Sequence, residues 1–266
     1  MKLLVLFLKY GEDKYPGSFN TLFYYLEQIK CEKIYIIIDN KCTLPKIIIS
    51  ENINYINGDN SEWEFSGWDK GLSYAKNAGF QYDLVLVVND SFMVYGSSFI
   101  QLLKLFHLEY IACSSKSIVG QVDSRGYPMS VFGYNVYSWI RTSAFLIHPD
   151  IIRKLGQFTS INSTQLNVVF PLKYEPSIFL NSAPMNESYK KMLVDWLTVD
   201  SHSKFDISDK TWIYFKSKVL AIINESLLTA RISSYGYTIV SFDQLFRYNF
   251  IYRRIQYVKN RFFGKF

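Results

Sequence analysis

Asn89-Asp90-Ser91 follows directly on Leu84-Val85-Leu86-Val87-Val88, five apolar residues of which three are β-branched. A continuous apolar run that ends in an acidic, polar knot reads as a central strand buried on both faces of a parallel sheet. Ligands of open α/β sheets gather just beyond the carboxyl ends of such strands. Asp90 therefore stands where a carboxylate could hold a divalent cation through oxygen; capping the next helix is the other use of an Asp at that place. Other chemistries lack their residues. No GxGxxG or GxxxxGK[ST] occurs, which counts against dehydrogenase and phosphate-loop ATPase assignments. Cys31, Cys42 and Cys113 have no CxxC spacing, so they supply neither a disulfide framework nor a zinc site, and they suit a reducing compartment.

The elements around Asp90 are read from hydrophobic period and turn residues. Leu3–Leu8 predicts a first strand, since its six apolar residues are shorter than a signal-peptide core and no cleavage site follows. Ser18 predicts a cap for a helix over Phe19–Lys30, and Ile34–Ile38 a second strand ending at Asp39-Asn40. Ile47–Ile49 and Ile53–Ile56 are short strand candidates, and Gly67–Lys76 a helix that leads into the Asp90 strand. This βαβ order predicts parallel strands with right-handed crossovers. Ser97–Leu108 then reads as a helix, Tyr110–Cys113 as a strand, Gly120–Gly133 as an ordered loop or hairpin, and Ser143–Ile147 as a strand. His148-Pro149-Asp150 opens a short helix, Glu187–Leu197 and Trp212–Arg231 have helical periodicity, and Thr238–Ser241 is a last strand.

The chain is 266 residues long, 49% hydrophobic and 20% charged, which fits one α/β domain and excludes a disordered chain. The expected division is a domain over 1–240 and a tail over 241–266. The net charge of +6 sits entirely in the stretch from Arg247 to the end: without Arg247, Arg253, Arg254, Lys259, Arg261 and Lys265, the remaining 23 basic residues match the 23 acidic ones. A neutral body argues against nucleic acid as partner and for a local anionic partner of the tail. If helical, the tail places Ile251, Ile255, Val258 and Phe262 on one stripe with Arg247, Arg254 and Arg261 on its flank. Such a segment suits an anionic membrane interface; a helix docked on the body is the other reading.

Glu64-Phe65-Ser66-Gly67-Trp68-Asp69-Lys70-Gly71, then Tyr82-Asp83, then Val88-Asn89-Asp90-Ser91 with Gly96, resembles bacterial polysaccharide glycosyltransferases of the rhamnan-synthesis type. Ser143–Ile147 is similar to their acceptor-facing strand, and Asn224-Glu225-Ser226 to their later acidic helix. The resemblance covers about residues 1–240 and implies the nucleotide-sugar-binding A-type fold, an α/β architecture with a mostly parallel central sheet and flanking helices. It implies an Mn²⁺ or Mg²⁺ ion on the donor diphosphate at Asn89-Asp90-Ser91, where the family's Asp-x-Asp is reduced to one carboxylate. Asp69 and Lys70 would meet donor sugar, ribose or phosphate, or else form a solvated first helical turn. Asp39 would accept hydrogen bonds from ribose or base, or close an Asx turn with Asn40.

By the same resemblance Glu225 is the candidate general base, with Asp195 as its understudy, and inversion at the anomeric carbon is implied. The family's paired acids are here Glu225-Ser226. His202 would complete the metal shell or lie in a surface loop, and Arg141 would meet acceptor or phosphate or form a surface ion pair. The expectation is a cytoplasmic, peripherally membrane-bound transferase that acts from a nucleotide diphosphate sugar onto a lipid-linked surface glycan. The two depleted acidic pairs keep open a non-catalytic sugar-binding or scaffold subunit.

Overall fold

The computed structural model describes residues 1–10, 13–41, 48–50, 52–114, 116–200 and 205–246. In chain order these form β1 (Lys2–Lys9), α1 (Ser18–Glu27), β2 (Glu32–Asp39), β3 (Ile48–Ser50), β4 (Ile53–Asn57), α2 (Glu64–Asn77) and β5 (Leu84–Asn89). They continue with α3 (Phe92–Tyr95), α4 (Ser97–Leu102), α5 (Leu105–Cys113), β6 (Ser117–Val131), β7 (Tyr134–Ile147) and α6 (Pro149–Leu155). After a 3-10 turn at Ser163–Val168 come α7 (Glu187–Asp195), which runs on as a π-helical turn over Trp196–Asp200, then α8 (Trp212–Ser234) and β8 (Thr238–Ser241). The described strands make one mixed sheet in the order β3-β4-β2-β1-β5-β7-β6-β8, with helices on both faces.

The centre of the sheet is parallel: β4, β2, β1 and β5 run the same way. The chain leaves β1 towards β2 and β4, then returns to place β5 on the other flank of β1, so the topological switch lies between β1 and β5. The apolar runs explain this position. Leu3–Leu8 and Leu84–Val88 are buried throughout, and alternate residues feed two cores. Leu3, Val5 and Phe7 pack with Leu22 and Leu26 of α1, whereas Leu4, Leu6 and Leu8 pack with Phe65 and Trp68 of α2. Each such side chain contributes about 1.5–3 kcal/mol on burial. A third core, built from Trp139, Tyr189, Trp212 and Phe215 among others, joins the far end of β7 to α7 and α8.

Helix α2 lies close on the sheet because Gly67 and Gly71 face it. A Cβ on Gly67 would stand 2.5 Å from Leu8 Cδ1 and 2.9 Å from Asn40 Oδ1, and one on Gly71 would stand 2.8 Å from Ile38 Cδ1. Gly67→Val is expected to destabilise the fold by about 1–3 kcal/mol, the usual cost of overpacking a filled core. A denaturant titration reads this as a lower midpoint at unchanged slope; an unaltered midpoint would contradict the close approach.

The predicted strands at the sheet centre and the hairpin among the readings of Gly120–Gly133 are observed, and three expectations, at Tyr110–Cys113, Ser97–Leu108 and the Ser18 cap, are corrected. Tyr110–Cys113 is the end of α5, not a strand: Leu108 and Ile111, three residues apart, point into the core as a helix requires. The helix expected over Ser97–Leu108 is two, because Leu103 turns extended and the Lys104 N–H is taken by His107 Nδ1 at 3.0 Å, which starts α5 afresh. Gly120–Gly133 is mostly strand, the first arm of a long β6–β7 hairpin. Its turn residues Phe132 and Gly133 both have positive φ, as tight hairpins demand, and the register shift between Ser124 and Met129 accommodates Gly126 and Pro128 within the arm. At α1 the cap position belongs to Gly17, at φ 66°, and Ser18 is the first helical residue. Among the described residues no helix is long and apolar enough to cross a membrane.

Candidate active site

A cleft of about 550 Å³ opens where β1, β2 and β5 end and β7 passes α8. Leu8 and Tyr10, Asn40, and Asn89-Asp90-Ser91 supply its floor from three parallel strand ends, and Thr142, Ser143 and Glu225 its opposite wall. This is the switch point, where α/β sheets bind ligands.

Asp90 is buried at the strand end, where its backbone N–H donates to the Leu8 carbonyl at 3.0 Å. Its Oδ2 accepts the Tyr10 N–H at 2.8 Å, which ties the β1–α1 loop to the β5 end. Beside it the Ser91 hydroxyl donates to Asn89 Oδ1. Asn89, Asp90 and Ser91 thus all line the cleft.

On the opposite wall Thr142 gathers two carboxylates from distant elements. Its N–H donates to Glu225 Oε1 at 2.7 Å and its hydroxyl to Glu64 Oε1 at 2.9 Å. Burial pushes the Glu225 carboxyl up to about 8; the Thr142 N–H opposes this, and the Glu64 charge adds to it. Burial likewise raises Glu64, against its hydrogen bonds and the nearby Lys218, while the Asp90 charge adds to the rise. Lys218 is held below the ordinary lysine value by burial, against the attraction of Glu64. Its ammonium lies 3.9 Å from the centroid of the Trp63 ring. Arg141 pairs with Asp123 at 2.7 Å, and both line the same cleft, so this ion pair belongs to the site wall.

Two buried oxygens in this lining have no partner among the described protein atoms: Asn40 Oδ1 and Ser143 Oγ. A buried polar atom left unpaired is costly, and a bound ligand's hydroxyls or phosphate oxygens are natural partners for the serine. Carboxylates, cations, aromatic rings and orphan polar atoms therefore converge on this one cleft.

The other predicted residues lie elsewhere. Asp69 does not converge with Asp90 on one cleft. Its carboxylate accepts the N–H groups of Phe158 (2.6 Å) and Thr159 (3.0 Å) and borders a separate cavity with Leu72 and Phe80. The reason is helix phase: Glu64, at the start of α2, reaches the cleft, and five residues on the helix has turned about 140° away. Lys70 pairs with Asp59 at 2.7 Å outside the cleft. Asp39 is buried and closes an Asx turn, its Oδ1 accepting the Lys41 N–H at 2.9 Å, while the next residue, Asn40, lines the cleft. Asp195 pairs with Lys191 at 2.8 Å on the outer side of α7. His202 and the tail from 247 onward lie outside the described residues.

Asp69 belongs to a clamp on the segment after α6. Asn224 Oδ1 accepts the N–H groups of Ser160 and Ile161, and the Arg231 guanidinium donates to the carbonyls of Leu155 and Gln157 and to Ser160 Oγ. Asn224 and Arg231 are seven residues apart on α8, one face of that helix, and Glu225 is turned about 100° from Asn224 towards the cleft. One motif thus serves two tasks, loop anchorage and the site wall. Asp69→Ala leaves two N–H groups without an acceptor and is expected to cost about 1–3 kcal/mol of stability. Thermal melting should show that loss, with ligand affinity of the folded protein unchanged; an affinity loss at full stability would return Asp69 to the binding site.

Sequence reasoning quoted Glu64 without giving it a role, and it passed over Thr142, Lys218 and Trp63. A Glu in the first turn of a helix also serves the helix dipole, so its type carried no distinguishing signal. Among the described residues no group of three His, Cys, Asp or Glu is arranged to hold a metal. The donor set at the β5 end is one carboxylate, Asp90, with the neutral oxygens of Asn89 and Ser91. That fits an Mg²⁺- or Mn²⁺-type ion whose remaining ligands are substrate phosphates and water.

No family model matches the chain, and no curated protein matches it. Among solved structures, the mannosyltransferase PcManGT from Pyrobaculum calidifontis, in complex with GDP-Man and Mn²⁺, is similar over 88% of this chain and 74% of its own. The identity is 8% and the TM-score 0.40. The galactosyltransferase LgtC, in complex with donor and acceptor sugar analogues, is similar over 56% of this chain and 58% of its own, at 12% identity and a TM-score of 0.27.

Proposed function

We propose that the chain is a glycosyltransferase of the A-type fold, moving a sugar from a nucleotide diphosphate donor to a glycan acceptor. The observation that carries this reading is the pairing, across one switch-point cleft, of Asp90 with a half-buried Glu225 whose carboxylate is held by the Thr142 N–H. Lys14, Lys218 and Arg141 in the same lining suit a diphosphate, and Tyr10, Trp63, Trp139 and Trp196 suit sugar or base faces.

Glu225 takes the proton of the acceptor hydroxyl. The acceptor oxygen forms its bond to the anomeric carbon as the carbon–oxygen bond to phosphate breaks, and the electron pair leaves with the nucleoside diphosphate. A single base on the acceptor side favours inversion. A divalent ion held by Asp90 would disperse charge on that leaving group. Thr142 fixes the Glu225 carboxylate through its backbone N–H, so the base is oriented before the acceptor arrives.

We further propose a lipid-linked surface glycan of the rhamnan-synthesis kind as acceptor. The enzyme would then be peripheral on the cytoplasmic face of the membrane. The six tail cations from Arg247 to Lys265 support this reading, at about 1 kcal/mol each near anionic lipid.

The test of the transferase reading is thermal melting against a panel of nucleotide diphosphate sugars, with and without Mn²⁺. One donor should raise the melting temperature selectively, by ligand linkage. If no nucleotide sugar does so with or without the ion, the proposal fails.

A further inference from the structure

Outward from the cleft, a second groove of about 360 Å³ shares Tyr10, Asn60 and Trp63 with it, so the two adjoin. Trp63 forms the partition. Its backbone stands at φ 56° and ψ −132°, and Asn60 is at φ 53°, in regions that side-chain-bearing residues seldom adopt. Asn40 holds this loop by donating from Nδ2 to the Trp63 carbonyl at 2.9 Å and to Asn60 Oδ1 at 3.3 Å. Strain of this kind persists where the surroundings enforce it, and it is typical of ligand clamps. What it achieves here is an indole set between the rings of Tyr10 and Tyr214, each 6.2 Å away between centroids.

Helix α8 links the groove to the proposed base. Glu225, Lys218 and Tyr214 are spaced by seven and four residues, which brings all three within about 40° on one face. They form a stripe about 16 Å long, from the carboxylate in the cleft, past the ammonium over Trp63, to a half-exposed Tyr214 in the groove. A sugar ring has an apolar C–H face and a rim of hydroxyls. Indole and phenol faces flanked by Asn60, Ser61 and Ser217 match both parts. Length matters too, since a groove that begins beyond Lys218 is out of reach of a monosaccharide seated at Glu225.

We infer that this groove is an acceptor subsite for an oligosaccharide of at least two residues, with the sugar behind the reacting one stacked on Trp63 and Tyr214. The inference rests on the transferase reading and deepens it, since it names the path that the acceptor chain follows and the residues that hold its second sugar.

The experiment titrates the full-length protein with oligosaccharide series of one to four residues, and separately with the panel of nucleotide sugars. In one series affinity should rise at least tenfold between one and three residues. Tyr214→Ala, a change at a half-exposed position, should remove most of that gain. The inference is overturned by donor binding with no oligosaccharide binding, by affinity independent of length, or by a Tyr214→Ala variant that binds the longer chains as the parent does. The first of these leaves the transferase reading standing, whereas failure of donors and oligosaccharides alike removes both. Competition of free nucleotide with the oligosaccharide for Tyr214 would reassign the groove to the donor base and would also overturn it.

Discussion

Glu225→Gln should lower sugar transfer by about 10²- to 10⁴-fold, the usual contribution of a positioned general base, while the protein still folds and still binds its donor. The amide keeps the shape of the side chain and can still accept the Thr142 N–H, which now meets Glu225 Oε1 at 2.7 Å; what it loses is the capacity to take a proton. Burial pushes this carboxyl from an ordinary 4.5 up to about 8, so turnover of the parent enzyme should rise with pH through about 8 and level off above it. Because Glu64 shares Thr142 and is itself raised by burial, the observed midpoint belongs to the pair.

Stability carries the opposite sign. Between about 4.5 and 8 the native Glu225 keeps a proton that the unfolded chain has released, so stability declines as pH rises through that window. The glutamine variant should flatten the decline. A rate independent of pH between 6 and 9, or a variant as fast as the parent, would remove Glu225 from the chemistry.

Asp90→Ala has the other large effect, and it should appear in donor binding. Asp90 is 4% exposed, its Oδ2 receives the Tyr10 N–H at 2.8 Å, and it lies on the cleft floor. Its removal takes away the anionic oxygen of a one-carboxylate donor set and loosens the loop that carries Tyr10. Calorimetric titration with the donor chosen by melting should show affinity weakened by at least tenfold, and any enhancement by Mn²⁺ abolished. Asp90→Asn separates the two roles, because the amide oxygen can still accept the Tyr10 N–H but brings no charge. If the asparagine variant binds donor as well as the parent does, with the same response to Mn²⁺, Asp90 serves the loop alone.

The legible parts of this protein are those written in local pattern. Leu84–Val88 and Ile34–Ile38 announced buried parallel strands because β-branched runs that are apolar on both faces have few other uses. Asp90 followed from its place at the end of such a run. Tyr110–Cys113 misled because a four-residue apolar stretch has no period of its own, and only the preceding Leu108 shows that the helix continues. Gly126 and Pro128 left the stretch Gly120–Gly133 open between loop and hairpin, and both sit in one register shift of the long arm Ser117–Val131.

The site was less legible because its geometry is long-range. Glu64 and Glu225 meet on Thr142, 78 and 83 residues away in sequence, and no spacing rule connects them. Asp69 attracted attention by its motif, but the phase of α2 turns it towards Phe158, and the inconspicuous Glu64 takes the place in the cleft. Asn224 beside Glu225 shows the converse: one motif word divides between a loop clamp and a base.

The most direct single measurement is release of nucleoside diphosphate from each donor of a nucleotide-sugar panel, followed for the parent protein beside Glu225→Gln at pH 8. The predicted result is steady release from one donor by the parent, accelerated by a glycan acceptor and reduced at least a hundredfold in the variant. Release from no donor, or equal release by the two proteins, would contradict the assignment of this cleft to sugar transfer.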